Sequence, residues 1–336
     1  MLKVTHLIPY DGIGGVETAA RSMAKASSAD IDFRVEMIFS SKKAKSRWRS
    51  LNPISFFCSV FHLRRAAPDL LIVSLWRSCV IGLILKLLVP RLQLIIFLHY
   101  PKDAHMLDWC FTRLAVHLSR RVWADSRETL TKRLPKLPLE KGRVISFVTT
   151  RIPSLPTKSV KPIFAFWGRI HHQKGLARAL MILSRVHQRR PDAVFFVIGP
   201  DGGDLSRLQK LKDKLSLGAS VQFLGAMDFN GIKTWASQAS FYLQTSELEG
   251  MGMSVVEAMQ LGLVPVVTPV GEIAHYACPE DNAVIVTDNE VAVADILALL
   301  DDQTRYESMR TRAIATWVEQ PLYNDSVLVA CREAMD

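Results

Sequence analysis

Phe241-Tyr-Leu-Gln-Thr-Ser-Glu-Leu-Glu-Gly-Met-Gly-Met-Ser-Val-Val-Glu-Ala-Met-Gln-Leu-Gly-Leu-Val-Pro-Val-Val-Thr268 reads as a strand, a glycine-bearing loop, a helix and a second strand. Phe241–Gln244 and Val264–Thr268 are short apolar runs, and a helical pattern begins about Ser254 between them. Strands joined by a helix pair in parallel through a right-handed crossover. In sheets built this way ligands bind beyond the C-terminal ends of the strands. The loop after Gln244 therefore carries the chemistry. Gly250 and Gly252 permit close backbone approach, and the helix offers its positive end to an anion. Glu249 sits before the loop and Glu257 about one turn into the helix, so both carboxylates are placed to accept hydrogen bonds from the hydroxyls of a sugar or ribose.

The same rhythm extends outward. Upstream come strands at Ile163–Trp167, Ala193–Ile198 and Val221–Leu224, with helices at Leu176–Arg189 and Leu205–Leu215. The first half repeats it, with strands at Leu2–Ile8, Phe33–Phe39, Asp69–Ser74, Leu92–Leu98 and Val122–Ala124 and helices at Glu17–Ala26 and from Asn52-Pro53 to Arg65. Between them the pattern stops in a stretch bearing Pro153, Pro156 and Pro162. The expected fold is α/β, two doubly wound domains facing each other across a cleft: residues 1–152, a linker at 153–162, and 163–319. A last helical segment, about Tyr323–Ala334, either closes the second domain or returns, over about 320–336, to complete the first.

Other strand ends supply further candidates. Asp11-Gly-Ile-Gly-Gly-Val-Glu17 follows the first strand, and its Gly14 and Gly15 suit a phosphate at a helix N-terminus, although the dinucleotide fingerprint GxGxxG is not met. Gly168-Arg-Ile-His-His-Gln-Lys-Gly175 follows the Ile163 strand, where Arg169 and Lys174 can grip a diphosphate, one as a fork and one as a point charge. His99 ends the Leu92 strand. Asp30-Ile-Asp32 has metal-holding spacing but precedes its strand, which puts it at the wrong edge of the sheet, and no metal site is expected.

The chain has 336 residues and a net charge of +10, unevenly spread. Residues 1–157 hold 25 Lys and Arg against 11 Asp and Glu, a balance of +14; the remainder holds 17 against 21, or −4. The surplus points to an anionic partner for the first half. Its densest run, Lys42, Lys43, Lys45, Arg47 and Arg49 with Trp48, suits the headgroups of an anionic leaflet. Cys79–Leu98 is apolar but interrupted by Lys86, Pro90 and Arg91, so it reads as a buried helix and strand and not as a membrane span. The five cysteines are widely spaced, which favours free thiols in a reducing cytosol over a disulfide framework. No nucleic-acid-binding signature accompanies the positive charge.

Glu249-x7-Glu257 within SELEGMGMSVVEAMQLGLVPVVTPVGE, together with GRIHHQKG, IGPDGGDLSRL, VQFLGAM and the opening GIGGVE, resembles glycosyltransferase family 4, whose members are retaining nucleotide-sugar transferases with two Rossmann-like domains in the GT-B fold. The resemblance implies that Arg169 and Lys174 bind the donor diphosphate and stabilise the leaving group, that Glu257 holds the ribose, and that Glu249 lies near the donor sugar. Backbone at Gly252 and Met253 would complete the phosphate cradle, Gly14 and Gly15 would border the phosphates from the first domain, and His99 would stand near the sugar and acceptor. A UDP- or GDP-sugar is the implied donor and substrate, with no cofactor and no metal. A saccharide acceptor, lipid-linked and presented at the cytoplasmic face of the inner membrane, is the implied partner, as in lipopolysaccharide or other cell-surface polysaccharide assembly. The family's N-G-(V/I)-D segment is replaced here by Thr149-Thr-Arg-Ile-Pro153. Two alternatives keep the same fold: a sugar-nucleotide epimerase, or a catalytically silent partner subunit that binds a nucleotide sugar.

Overall fold

The computed structural model describes residues 1–10, 15–23, 28–39, 53–157 and 159–335. They form two compact units, one of Met1–Thr150 with Pro321–Asp336 and one of Arg151–Gln320.

Unit 1 contains β1 (Leu2–Tyr10), α1 (Gly15–Ser22), β2 (Ile31–Phe39), α2 (Pro53–Ala66), β3 (Leu70–Ser74), α3 (Leu75–Leu88), β4 (Gln93–Leu98), α4 (Met106–Leu118), β5 (Arg121–Ala124), α5 (Arg127–Arg133) and β6 (Gly142–Val144). The strands pair in parallel in the order β2-β1-β3-β4-β5-β6. Parallel strands are covered by helices on both faces, which explains why Leu70, Leu71, Ile72 and Val73 are all fully buried. Strand order reverses between β1 and β3, so their C-terminal ends flank the place where this topology leaves a crevice.

Unit 2 contains β7 (Ile163–Trp167), α6 (Leu176–Arg189), β8 (Val194–Ile198), α7 (Leu205–Lys214), β9 (Val221–Gly225), α8 (Phe229–Ala236), β10 (Phe241–Gln244), α9 (Met253–Leu261), β11 (Val264–Val267), α10 (Ile273–Tyr276), β12 (Val284–Ile285), α11 (Asn289–Asp301) and α12 (Gln303–Val318). Its parallel order, β12-β11-β10-β7-β8-β9, is that of a dinucleotide-binding sheet, with the reversal between β10 and β7. The loops after these two strands are the pair that the sequence marks out. Aspartates set the starts of the later helices: Asp228 accepts from Gly231 N, Asp288 from Glu290 N and Val291 N, and Asp302 from Arg305 N.

The proline-bearing stretch at 153–162 is laid along unit 2. Ile152 N donates to Gln260 Oε1 (3.1 Å), Leu155 N to Leu261 O (3.0 Å) and Lys161 N to Ser240 Oγ (2.9 Å). The chain then returns: α13 (Tyr323–Glu333) packs in unit 1, where Tyr323 N donates to Val148 O (2.8 Å) and its ring stacks on Phe97. Asp32, read as preceding its strand, lies inside β2 and pairs with Arg34 at 2.9 Å, while Asp30 pairs with Arg332 at 2.7 Å. Both carboxylates of that DxD motif are thus engaged structurally. Among the described residues no helix is long and apolar enough to cross a membrane, and Cys79–Leu98 divides into α3 and β4.

Candidate functional site

The site in unit 2 begins with glycines that let two loops touch. Gly175 has φ +65, and a Cβ on it would stand 1.8 Å from Thr245 O, so only glycine fits where the loop after β7 meets the end of β10. Thr245 Oγ1 donates to Gly175 O at 2.6 Å. Gln173 completes the join, donating from Nε2 to Leu248 O (2.7 Å) and accepting from Glu247 N (2.9 Å).

This join brings Lys174 to Glu249. The ammonium Nζ lies 2.7 Å from Glu249 Oε1, with the carboxylate 9% and the lysine 21% exposed at the side chain. Gln244 Nε2 (2.9 Å) and Ser246 Oγ (2.7 Å) donate to the same oxygen. Gln244 Oε1 in turn accepts from Tyr242 OH (2.7 Å) and Ser254 Oγ (3.0 Å), which fixes the amide orientation. Three donors on one buried oxygen hold Glu249 as a rigid acceptor instead of a mobile surface carboxylate.

Glu257 projects from α9 and accepts from Trp167 Nε1 at 2.7 Å. Burial pushes its carboxyl up to about 7, with the indole hydrogen bond opposing that shift. The N-cap of α9 is Gly252, at φ +72, with Met253 the first helical residue. Tyr276 OH donates to Met251 O at 2.9 Å and steadies this turn. Gly271 passes so close that a Cβ there would meet Glu249 O at 2.4 Å, which seals the loop from behind.

Arg169 is exposed, and its stem lies over Gly202, where an added Cβ would stand 2.7 Å from Arg169 Cγ. Lys174 and Glu249 form one cluster, and Trp167 and Tyr242 connect it to Glu257 because Tyr242 OH, bonded to Gln244, also lies 3.2 Å from Trp167 O. Arg169 shares the loop of Lys174 without joining the cluster. Sequence reasoning passed over Gln244, Tyr242, Trp167, Ser246 and Ser254. The available signal was a glutamine closing an otherwise apolar strand, since a buried polar side chain must be hydrogen-bonded.

In unit 1, Gly15 is the first residue of α1, whereas Gly14 and the basic run Lys42, Lys43, Lys45, Arg47, Trp48 and Arg49 lie outside the described residues. His99 follows β4, is 9% exposed, and has Nε2 2.8 Å from Ser74 Oγ. Burial first, then the neighbouring His6 and Arg133, drives its pKa well below the usual histidine value, so its ring is neutral. The loop after it is held by Arg133, which donates to Asp108 Oδ1 (2.6 Å), Asp103 Oδ1 (3.0 Å) and Tyr100 O (3.4 Å).

Comparison with known proteins places this arrangement. A glycosyltransferase of Bacillus subtilis, YqgM, is 30% identical over 129 residues, covering 38% of this chain and 36% of that protein. The GDP-mannose:cellobiosyl-diphosphopolyprenol alpha-mannosyltransferase of Xanthomonas oryzae is 30% identical over 156 residues, 45% of this chain and 40% of that one. The chain thus spans less than half the length of either curated relative. The solved structure of Anabaena Alr3699/HepE in complex with UDP superposes with a TM-score of 0.80 over 99% of this chain and 100% of that one, at 18% identity. That likeness identifies the GT-B fold. Residues 148–316, which include every residue of the Lys174–Glu249–Glu257 arrangement, match the family model described as glycosyl transferases group 1, and the chain belongs to that family.

Proposed function

We propose that this protein is a retaining family 4 glycosyltransferase that moves a sugar from a UDP- or GDP-linked donor to a saccharide acceptor, with no metal or other cofactor taking part. The observation that carries this reading is the Lys174–Glu249 ion pair at the switch point of unit 2, with Arg169 on the same loop and Glu257 on the helix that follows. In this reading the diphosphate lies at the N-terminus of α9, against the backbone of Gly252 and Met253. Arg169 and Lys174 neutralise the charge that develops on the departing diphosphate, the largest single source of catalysis in such a transfer. Glu257 accepts from the ribose hydroxyls, and Glu249, held by Lys174, Gln244 and Ser246, faces the donor sugar. Calorimetry with UDP, GDP, ADP and their sugar conjugates tests this. One nucleotide should bind in the micromolar range and bind more weakly to Glu257→Ala; binding of none would remove the donor site.

A lipid-linked acceptor, of the kind used in lipopolysaccharide and other surface polysaccharide assembly, is supported by the diphosphopolyprenol substrate in the name of the Xanthomonas relative. It is also supported by α2, where Ile54, Phe57 and Phe61 are 67%, 76% and 70% exposed along one side and Arg64 and Arg65 follow in the last turn. An apolar stripe ending in arginines, in a half carrying +14, suits an anionic bilayer at the cytoplasmic face of a membrane. Vesicles rich in phosphatidylglycerol should sediment the protein at low salt, and Phe57→Ser with Phe61→Ser should abolish this. Equal sedimentation of that double variant would detach α2 from the membrane reading.

A further inference from the structure

A cavity of about 280 Å³ opens at the N-terminal edge of the unit 1 sheet, the edge opposite the strand ends where this topology binds its ligands. It lies where α2 and α3 end and where β3 and β4 begin. Leu63, Leu85 and Leu92 are buried and form its floor, with half-buried Val89 beside them. Met335, just beyond α13, also lines it, so the cavity is completed only when the chain returns to unit 1.

The charged groups around it are unequally engaged. Asp69 accepts from Lys3 N at 2.9 Å. Lys86 donates to Pro90 O and Leu92 O, both at 2.8 Å, and so holds the loop between α3 and β4 without help from its neighbours. Arg64 and Arg91 line the cavity and are exposed, and neither makes a side-chain hydrogen bond or ion pair among the described residues. Two arginines and one aspartate among the lining residues leave the mouth with a single positive charge.

An apolar cavity of about 150 Å³ stays dry and binds benzene. This one is larger, yet below the range of about 300 Å³ and upward that takes drug-sized molecules, so it suits one alkyl chain and not a pair. A purely polar anion would find no donors on a leucine floor, and a neutral hydrocarbon would leave both guanidinium groups unanswered. The approach is apolar as well: Phe57, Phe61 and Arg64 are spaced four and three residues apart on α2, so two exposed rings lead along one helix face to the mouth.

We propose that this cavity binds a single-chain monoanionic amphiphile, a fatty acid by chemistry, with its alkyl chain on Leu63, Leu85, Val89 and Leu92 and its carboxylate met by Arg64 and Arg91. Neither the donor site nor the transfer reaction enters this assignment, which shares only α2 with the membrane reading.

Calorimetry of the full chain with decanoate, below its micelle-forming concentration, should show one site. From hexanoate to decanoate the affinity should rise about fourfold per added CH2 and level off in longer chains; a series with no rise would remove the chain from the leucine floor. Decanol and decyltrimethylammonium should bind about tenfold more weakly or worse, and equal binding of either would overturn the role of the arginines. Tighter binding of decyl phosphate than of decanoate would point to a phosphate headgroup and overturn the fatty acid. Arg64→Gln with Arg91→Gln, both at exposed positions, should weaken decanoate about tenfold or more, and Val89→Trp should fill the mouth and abolish binding. Unchanged affinity in the arginine pair, or in a folded Val89→Trp, would place the chain elsewhere and sink the proposal; if Val89→Trp does not fold, the arginine pair decides. Decanoate binding by a protein that ignores vesicles would keep the cavity and remove the membrane reading, and sedimentation with vesicles without decanoate binding would do the reverse.

Discussion

The indole N–H of Trp167, the last residue of β7, is bonded at 2.7 Å to the carboxylate of Glu257 on α9, so this strand and this helix meet through one uncharged donor on a half-buried acid. A single neutral donor does not offset the desolvation of a carboxylate, and the group reaches about 7.

Nucleotide affinity should therefore depend on pH. Below about 7 the folded Glu257 is protonated and offers fewer acceptor sites to a ribose; above it the carboxylate is restored. Calorimetric affinity for the cognate nucleotide should rise between pH 6 and 8, and Glu257→Gln should flatten the curve. Stability runs the other way. The unfolded acid ionises near 4.5 and the folded one near 7, so the folded state binds the extra proton and loses its advantage as pH rises through that window. Denaturant midpoints of wild type and Glu257→Gln should converge at low pH and separate, in favour of glutamine, towards pH 8.

Lys174→Ala should lower turnover by more than about tenfold and keep the fold. It also leaves Glu249 without its cation, although Gln244 and Ser246 still donate to it. A variant with a near-normal rate and an unchanged circular dichroism spectrum would remove the leaving-group role.

Gly175→Ala tests the join between the loops. The new methyl meets Thr245 O, a backbone atom that cannot swing aside, and the residue stays left-handed. A loss of at least about 2 kcal/mol is expected, read as a lower melting temperature together with weakened nucleotide binding. An unchanged melting temperature would mean the two loops separate at little cost.

Arg133→Met removes the cation that serves Asp103, Asp108 and the carbonyl of Tyr100, with the arginine side chain only 6% exposed. Leaving Asp108 buried without its partner should cost about 3–5 kcal/mol. The double variant Arg133→Met with Asp108→Leu should recover a large part of it. A double variant no better than the single would place the cost in packing.

Much of this was legible because doubly wound sheets impose simple periods. Leu176–Arg189 and Phe241–Gln244 match their predicted bounds, since apolar spacing alone defines a covered strand or a one-sided helix. Segments whose order comes from elsewhere went unread. Val284–Ile285 is too short to have a period, and Phe229–Ala236 depends on a cap from Asp228. Within the site, Glu249, Glu257, Arg169 and Lys174 stood out as polar residues after strand ends. The pairing of Lys174 with Glu249 did not, because 75 residues separate them and only the close approach at Gly175 joins them. Trp167 and Tyr242 were hidden for the opposite reason: an aromatic residue in an apolar strand reads as core filling, while its one polar atom does the connecting.

The return of Pro321–Asp336 to unit 1 bears on the order of synthesis. Residues 151–320 leave the ribosome as one uninterrupted stretch with every strand of their sheet, whereas the first unit waits for α13 to lay Tyr323 against Phe97 and Phe147. The second unit can mature during translation. The basic half, first out of the tunnel, is completed last, when Tyr323 closes one side of two rings that already pack on each other and on His99.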